Sequence, residues 1–122
     1  MTAHDRLRPV ALFLGGILGA AGVALAAAAT HTGETYMLGN ASAMSLAHAP
    51  VLVALFIGWN TVRTAMPASL LLGLGTLIFV GDLVSRHFSG SSLFPMAAPS
   101  GGLGMIGGWL VLAAGAFFKV RT

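Results

Sequence analysis

Cysteine is absent from the chain and charge is scarce, with 7% of the 122 residues being Asp, Glu, Lys or Arg. The lack of cysteine excludes disulfides, thiolate metal sites, covalent c-type haem attachment and thiol nucleophiles. Soluble domains carry about 25% charged residues, so this sequence has about a third of the charge that a water-facing surface uses. Acidic residues number three against six Lys and Arg. The resulting pI of about 10.8 looks like that of a nucleic-acid binder. Six cations are nevertheless too few to follow a phosphate backbone, and no nucleic-acid partner is expected.

Apolar residues fill the space that charge leaves. They make up 57% of the chain, and the mean hydropathy is +0.90. Residues 10–29 form a run of twenty without a polar side chain, which at about 1.5 Å per helical residue matches a hydrocarbon core of about 30 Å. Further apolar stretches cover 44–62, 68–84 and 101–118. Backbone polar groups in hydrocarbon must be satisfied within the segment, so each stretch is read as a helix. The expected fold is all-α: one domain, residues 1–122, forming an integral membrane bundle of four transmembrane helices. A secretory signal would also combine basic residues, an apolar region and small residues such as Ala24–Ala29. Twenty apolar residues are long for such a region, and the first segment is read as a retained span.

Basic residues near span ends set orientation. With both termini inside, Arg6, Arg8, Arg63, Lys119 and Arg121 are cytoplasmic and Arg86 alone lies outside. An N-in/C-in topology is therefore expected. Pro9 and Pro50 are both read as first-turn residues, where proline is tolerated, so the second helix is expected to begin near Ala49. Trp59 is expected as an anchor at the inner boundary, and Trp109 as a packed residue in mid-span.

Small residues recur where helices would meet. Gly15-x-x-x-Gly19 is followed by Gly22 in the first span, Gly104-x-x-x-Gly108 lies in the fourth, and Gly73 and Gly75 mark the third. Lipid is as apolar as leucine, so helices in a membrane associate by close approach at such residues. The simpler reading is that they close the four helices on one another; the functional reading is a dock for another membrane protein.

Possible polar chemistry gathers at one membrane face, where His31, Glu34, His48, Asp82, Arg86 and His87 are all expected. Asp82 and Arg86 are four residues apart on one helical face, so an ion pair would lower the cost of inserting the outer end of the third helix. The alternative role for Asp82 is a proton- or ion-handling carboxylate. His31 and His48 flank the first outer loop. Imidazole suits zinc, copper or haem iron, with His87 or Glu34 available to complete a set, but the spacing matches no metal motif. Histidines bonding loop backbone and helix ends are the simpler reading, and no cofactor is expected. No nucleophile, base and orienting group fall into a set, and the glycines at 101–108 lie inside an apolar span rather than after a strand. The chain is not expected to be an enzyme.

Three segments together resemble the YgdD-like family of small, uncharacterised four-helix bacterial inner-membrane proteins. Leu25-Ala26-Ala27-Ala28-Ala29-Thr30-His31 is similar to the family's small-residue helix that closes on Gly-Ala-His. His48 and the aliphatic run after it are similar to its Tyr-His-Ala-Leu opening of the second helix, with Ala47 in place of the aromatic. Pro99-Ser100-Gly101-Gly102 and Gly107-Gly108-Trp109 resemble its Pro-x-Gly-Gly and Gly-Trp signatures. Where the family has Phe-Ser-Gly-Ser, this chain has Phe79-Val80-Gly81-Asp82, a carboxylate replacing a hydroxyl. The resemblance implies the four-helix fold and a bacterial inner membrane, and supplies no activity. The expected function is an accessory subunit in contact with the lipid bilayer and other integral membrane subunits. The alternative is a small carrier, or a metal-, haem- or ligand-binding protein using His31, His48, Asp82 and His87.

Overall fold

The computed structural model describes residues 1–119; Arg121, assigned above to the inner cations, lies outside the described residues. Four helices follow in order: α1 (Ala3–Thr32), α2 (Met37–Ile57), α3 (Ala65–Ser89) and α4 (Ala97–Ala114), the last running into a 3-10 turn at Gly115–Phe117. No strand occurs among the described residues. All four helices are long and apolar enough to cross a membrane.

Local chemistry sets the helix ends. Thr2 and Asp5 form a reciprocal capping box at the start of α1, satisfying donors that would otherwise have no partner. Gly33, at φ 73°, ends the helix in the left-handed region, where a side chain is disfavoured. Glu34 then caps α2: its carboxylate accepts the Tyr36 N–H at 3.2 Å and the Leu38 N–H at 2.9 Å. Gly90, at φ 78°, stops α3 and returns its N–H to the Arg86 carbonyl at 3.1 Å.

These boundaries correct several expectations. α2 starts at Met37 rather than 44 and ends at Ile57 rather than 62. Asn40, Ser42 and Ser45 give its first half a loop-like composition. The Ser42 hydroxyl, however, turns inward and donates to the Gly22 carbonyl of α1 at 2.7 Å, so its polarity is spent inside the bundle. Pro50 consequently lies in the interior of α2, and Pro9 in the interior of α1. Each removes one backbone bond without ending its helix. α3 continues to Ser89 and α4 starts at Ala97, which puts Pro99 in the first turn of α4.

α1 packs along α2, α4 packs along α3, and α2 meets α3 to join the two hairpins. Half of the α3 span is buried, against 22% for α1 and 17% for α4. The two flanking helices thus turn most of their surface outward, with Phe13, Ile17, Leu103 and Leu110 exposed. Exposed leucines and phenylalanines at this density suit an apolar environment. One core cluster, including Leu18, Leu52, Leu55, Trp59 and Leu72, fills the end of the bundle that holds the termini. A second, around Ala41, Val80 and Leu83, fills the other end.

The end that holds the termini is tied by side chains reaching backbone. Arg8 Nε donates to the Phe56 carbonyl at 2.9 Å while its guanidinium lies 4.8 Å from the Phe56 ring centroid. Trp59 Nε1 donates to the His4 carbonyl at 3.0 Å, and Arg63 Nε to the Lys119 carbonyl at 2.7 Å. Trp59 is therefore a buried core residue rather than a boundary anchor: its N–H finds a carbonyl inside the protein, so the ring needs no headgroup region. Arg6, Arg8, Arg63 and Lys119 all lie at this end, and Arg86 at the opposite one.

Candidate functional site

Between the two core clusters the bundle carries polar side chains in its middle. Ser45 and His48 lie on α2 between Ala41 and Leu52, and Thr76 lies on α3 between Leu72 and Val80; all three are buried. His48 is eleven residues into α2 from Met37, or about 16 Å along the axis. It belongs to mid-span rather than to the outer face. Its displacement follows from the early start of α2: the residues taken for a loop are the first three turns of the helix.

The His48 ring is fully bonded. Nδ1 faces the Met44 carbonyl at 2.8 Å. A carbonyl only accepts, so that nitrogen carries the proton and Nε2 is the acceptor. Trp109 of α4 fills it, donating its indole N–H at 3.1 Å with the rings 5.7 Å apart in an edge-on arrangement. This bond joins α2 to α4 across the α2–α3 contact. The Trp109 partner has no sequence signal, because the two residues are 61 positions apart on helices that are not neighbours in the chain. Thr76 bonds back to the Leu72 carbonyl at 2.6 Å. The Ser45 hydroxyl has no partner among the described residues.

Asp82, completely buried, forms the second polar constellation. One carboxylate oxygen accepts the Leu93 N–H at 3.0 Å, tying the α3–α4 connection to α3. The other lies 3.0 Å from Arg86 Nε. That contact is an ion pair and not an aligned hydrogen bond, since Oδ2 has no hydrogen-bond partner among the described residues. The Leu93 contact likewise had no sequence signal, because it depends on how the loop folds back.

The other candidates stand apart from both constellations. His31 is exposed at the end of α1, and His87 is half-buried near the end of α3, edge-on to Phe88 at 4.7 Å. Glu34 is engaged as the α2 cap. Among the described residues no three His, Cys, Asp or Glu side chains come together in a group able to hold a metal ion.

The small residues pack inside the chain. A Cβ on Gly15 would stand 2.9 Å from Val53 Cγ2, and one on Gly22 would stand 2.6 Å from Leu46 Cγ, whereas one on Gly19 would make an ordinary contact with Ala49 Cβ at 3.8 Å. On the other hairpin, a Cβ on Gly108 would meet Leu72 at 2.7 Å and one on Gly104 would meet the Gly75 Cα at 3.4 Å. The tightest approach of backbone to backbone pairs Gly75 with Gly101, where added Cβ atoms would fall 2.8 Å from the Gly101 carbonyl and 2.6 Å from the Phe79 nitrogen. The sequence places Gly101 at the start of the fourth span and in the Pro-x-Gly-Gly segment, with no sign of its packing role.

Fold and site together define, over the described residues, an all-helical chain of four membrane-compatible helices whose interior polar side chains bond backbone groups or one another in most cases. The chain belongs to the family described as "Protein of unknown function (DUF423)", whose model matches residues 18–102. That stretch runs from the middle of α1 into the start of α4 and includes His48, Asp82 and Gly101. No curated protein and no solved structure matches the chain.

Proposed function

We propose that the chain is a non-catalytic, multi-pass protein of the bacterial inner membrane, with both termini in the cytoplasm, acting as an accessory subunit beside larger membrane proteins. One observation carries the reading. The charged and aromatic groups that catalysis would need are already spent on architecture: His48 on Met44 and Trp109, Asp82 on Leu93 and Arg86, Glu34 on the α2 cap. Orientation rests on the basic residues. Among the described residues Arg6, Arg8, Arg63 and Lys119 share one end and Arg86 holds the other, and the cation-rich end belongs in the cytoplasm. The inner membrane follows from the family resemblance described above.

The outward faces of α1 and α4 are the surfaces available to a neighbour, since α2 and α3 bury more of theirs. Photo-crosslinking residues placed in cells at Phe13 and Ile17 of α1 and at Leu103 and Leu110 of α4 test this. The accessory reading expects adducts of one defined mass from one of the two faces, and none from a control at buried Leu52. Adducts absent from all four positions, or a smear of unrelated masses, would count against it.

A second reading, ligand binding, is favoured by the open cleft between α2 and α4. It would use a different set from His31, His48, Asp82 and His87, because the first and last of these stand apart from the cleft and His48 is saturated.

A further inference from the structure

Two clefts follow one another down the outer half of the bundle between α2 and α4, and Phe79 of α3 lines both where they meet. The one nearest the helix ends has a volume of about 320 Å³ and carries Tyr36, Asn40 and Arg86. The deeper one, about 460 Å³, is walled by Met44, Ala47, Gly102, Met105 and Ile106 and stops at the His48–Trp109 pair. We propose that together they seat one anionic phospholipid, with its phosphate on the Arg86 guanidinium and one acyl chain lying between α2 and α4.

Length is the first argument. The lining runs from Tyr36 to His48 on one wall and from Ala98 to Trp109 on the other, twelve and eleven residue steps. At about 1.5 Å per residue this is about 16–18 Å, a little over half of a hydrocarbon core of about 30 Å. Together the clefts are one leaflet deep, the reach of a single acyl chain. Polarity is the second argument. Polar side chains line the mouth and apolar ones the depth, in the order that an amphiphile standing in that leaflet would meet them. The deep end offers no hydrogen bond, because both His48 nitrogens and the Trp109 N–H are already paired. That end suits a hydrocarbon tail rather than the carbonyl or hydroxyl of a ring-headed lipid.

Charge supplies the third argument. Asp82 holds Arg86 by Nε, and the two terminal nitrogens of the guanidinium meet no acceptor among the described residues. The Arg86 side chain is 44% exposed, and it lines the mouth. A guanidinium fixed on one side presents its remaining donors as a fork that fits two phosphate oxygens. Asp82 is then a positioning residue: it turns the guanidinium and does not touch the lipid.

The inference rests on the membrane-spanning reading above, and its test separates the two. The full chain is reconstituted into vesicles of equal phosphatidylglycerol and phosphatidylcholine, floated on a density gradient, extracted in mild detergent and analysed by native mass spectrometry. The expected spectrum shows one retained lipid per chain, with phosphatidylglycerol favoured about fivefold, the effect of one basic group on an anionic headgroup. The double variant Asp82→Asn/Arg86→Gln removes both charges together and leaves no buried charge unpaired; its adducts should persist with the preference reduced to none. A Cβ on Gly102 meets nothing within 4 Å and Gly102 lines the deeper cleft, so Gly102→Leu puts its side chain there, and it should lose both adducts while circular dichroism stays unchanged. Equal retention of the two lipids by the unaltered chain, undiminished phosphatidylglycerol on Gly102→Leu, or a second protein copy retained in place of lipid would overturn the inference. A chain that never floats would overturn the membrane reading as well.

Discussion

The two hairpins close by different means. In α1–α2 the atoms nearest the glycines are side chains, Val53 Cγ2 at 2.9 Å from a Gly15 Cβ and Leu46 Cγ at 2.6 Å from a Gly22 Cβ, with backbone next at 3.1 and 3.2 Å. In α3–α4 Gly75 and Gly101 face backbone, namely the Gly101 carbonyl and the Phe79 nitrogen. A side chain can change rotamer to admit a methyl group, whereas a helix backbone moves only as a rod. The first hairpin should therefore tolerate substitution better than the second, although its glycine pattern is the more obvious of the two. Close approach in a membrane is worth most where two backbones touch, because no apolar burial competes with it.

Gly101→Ala is the sharpest challenge to that difference. It places a methyl group 2.6 Å from the Phe79 nitrogen and 2.7 Å from the Gly75 carbonyl, forcing α4 away from α3. The expected loss is about 3 kcal/mol, the upper part of the overpacking range, read from unfolding by sodium dodecyl sulfate in mixed micelles. A loss below that of Gly22→Ala would reverse the ranking of the hairpins. For Gly22→Ala itself the Leu46 side chain gives way, and a loss of about 1–2 kcal/mol is expected in the same titration.

The bond between His48 and Trp109 ties the hairpins to each other. His48→Ala leaves the indole N–H of Trp109 without its acceptor, at an expected cost of about 1 kcal/mol. A double-mutant cycle with Trp109→Phe should show that the two losses are not additive; strict additivity would mean that the bond does not form. The smallest effect belongs to Gly16, where a Cβ meets nothing within 4 Å. Gly16→Ala should stabilise α1 by about 0.5–1 kcal/mol through helix propensity alone. A clear loss in detergent would show that this face of α1 contacts something beyond the chain.

The helical architecture was legible in the sequence because hydrophobic runs of span length have one physical solution in lipid. Boundaries were less legible. Asn40 and Ser42 read as loop, since nothing local reveals that the Gly22 carbonyl waits across the helix interface for the Ser42 hydroxyl. That shift moved His48 from the surface to mid-span, and with it the character of the site. The proximity of Asp82 and Arg86 was readable because i and i+4 share a face. The Leu93 amide, the Trp109 indole and the Gly75–Gly101 approach were not, since each joins residues through tertiary packing rather than through periodicity.

The central claim is that all four helices cross the bilayer with residues 61 and 119 on the cytoplasmic side and 32 and 91 on the other. Because the chain contains no cysteine, each of Thr32→Cys, Thr61→Cys, Ser91→Cys and Lys119→Cys provides a single thiol for a membrane-impermeant maleimide. Labelling in intact spheroplasts should reach positions 32 and 91 only, and labelling in inverted vesicles positions 61 and 119 only. Labelling of 61 and 119 from opposite sides, or of all four positions from one side, would contradict it.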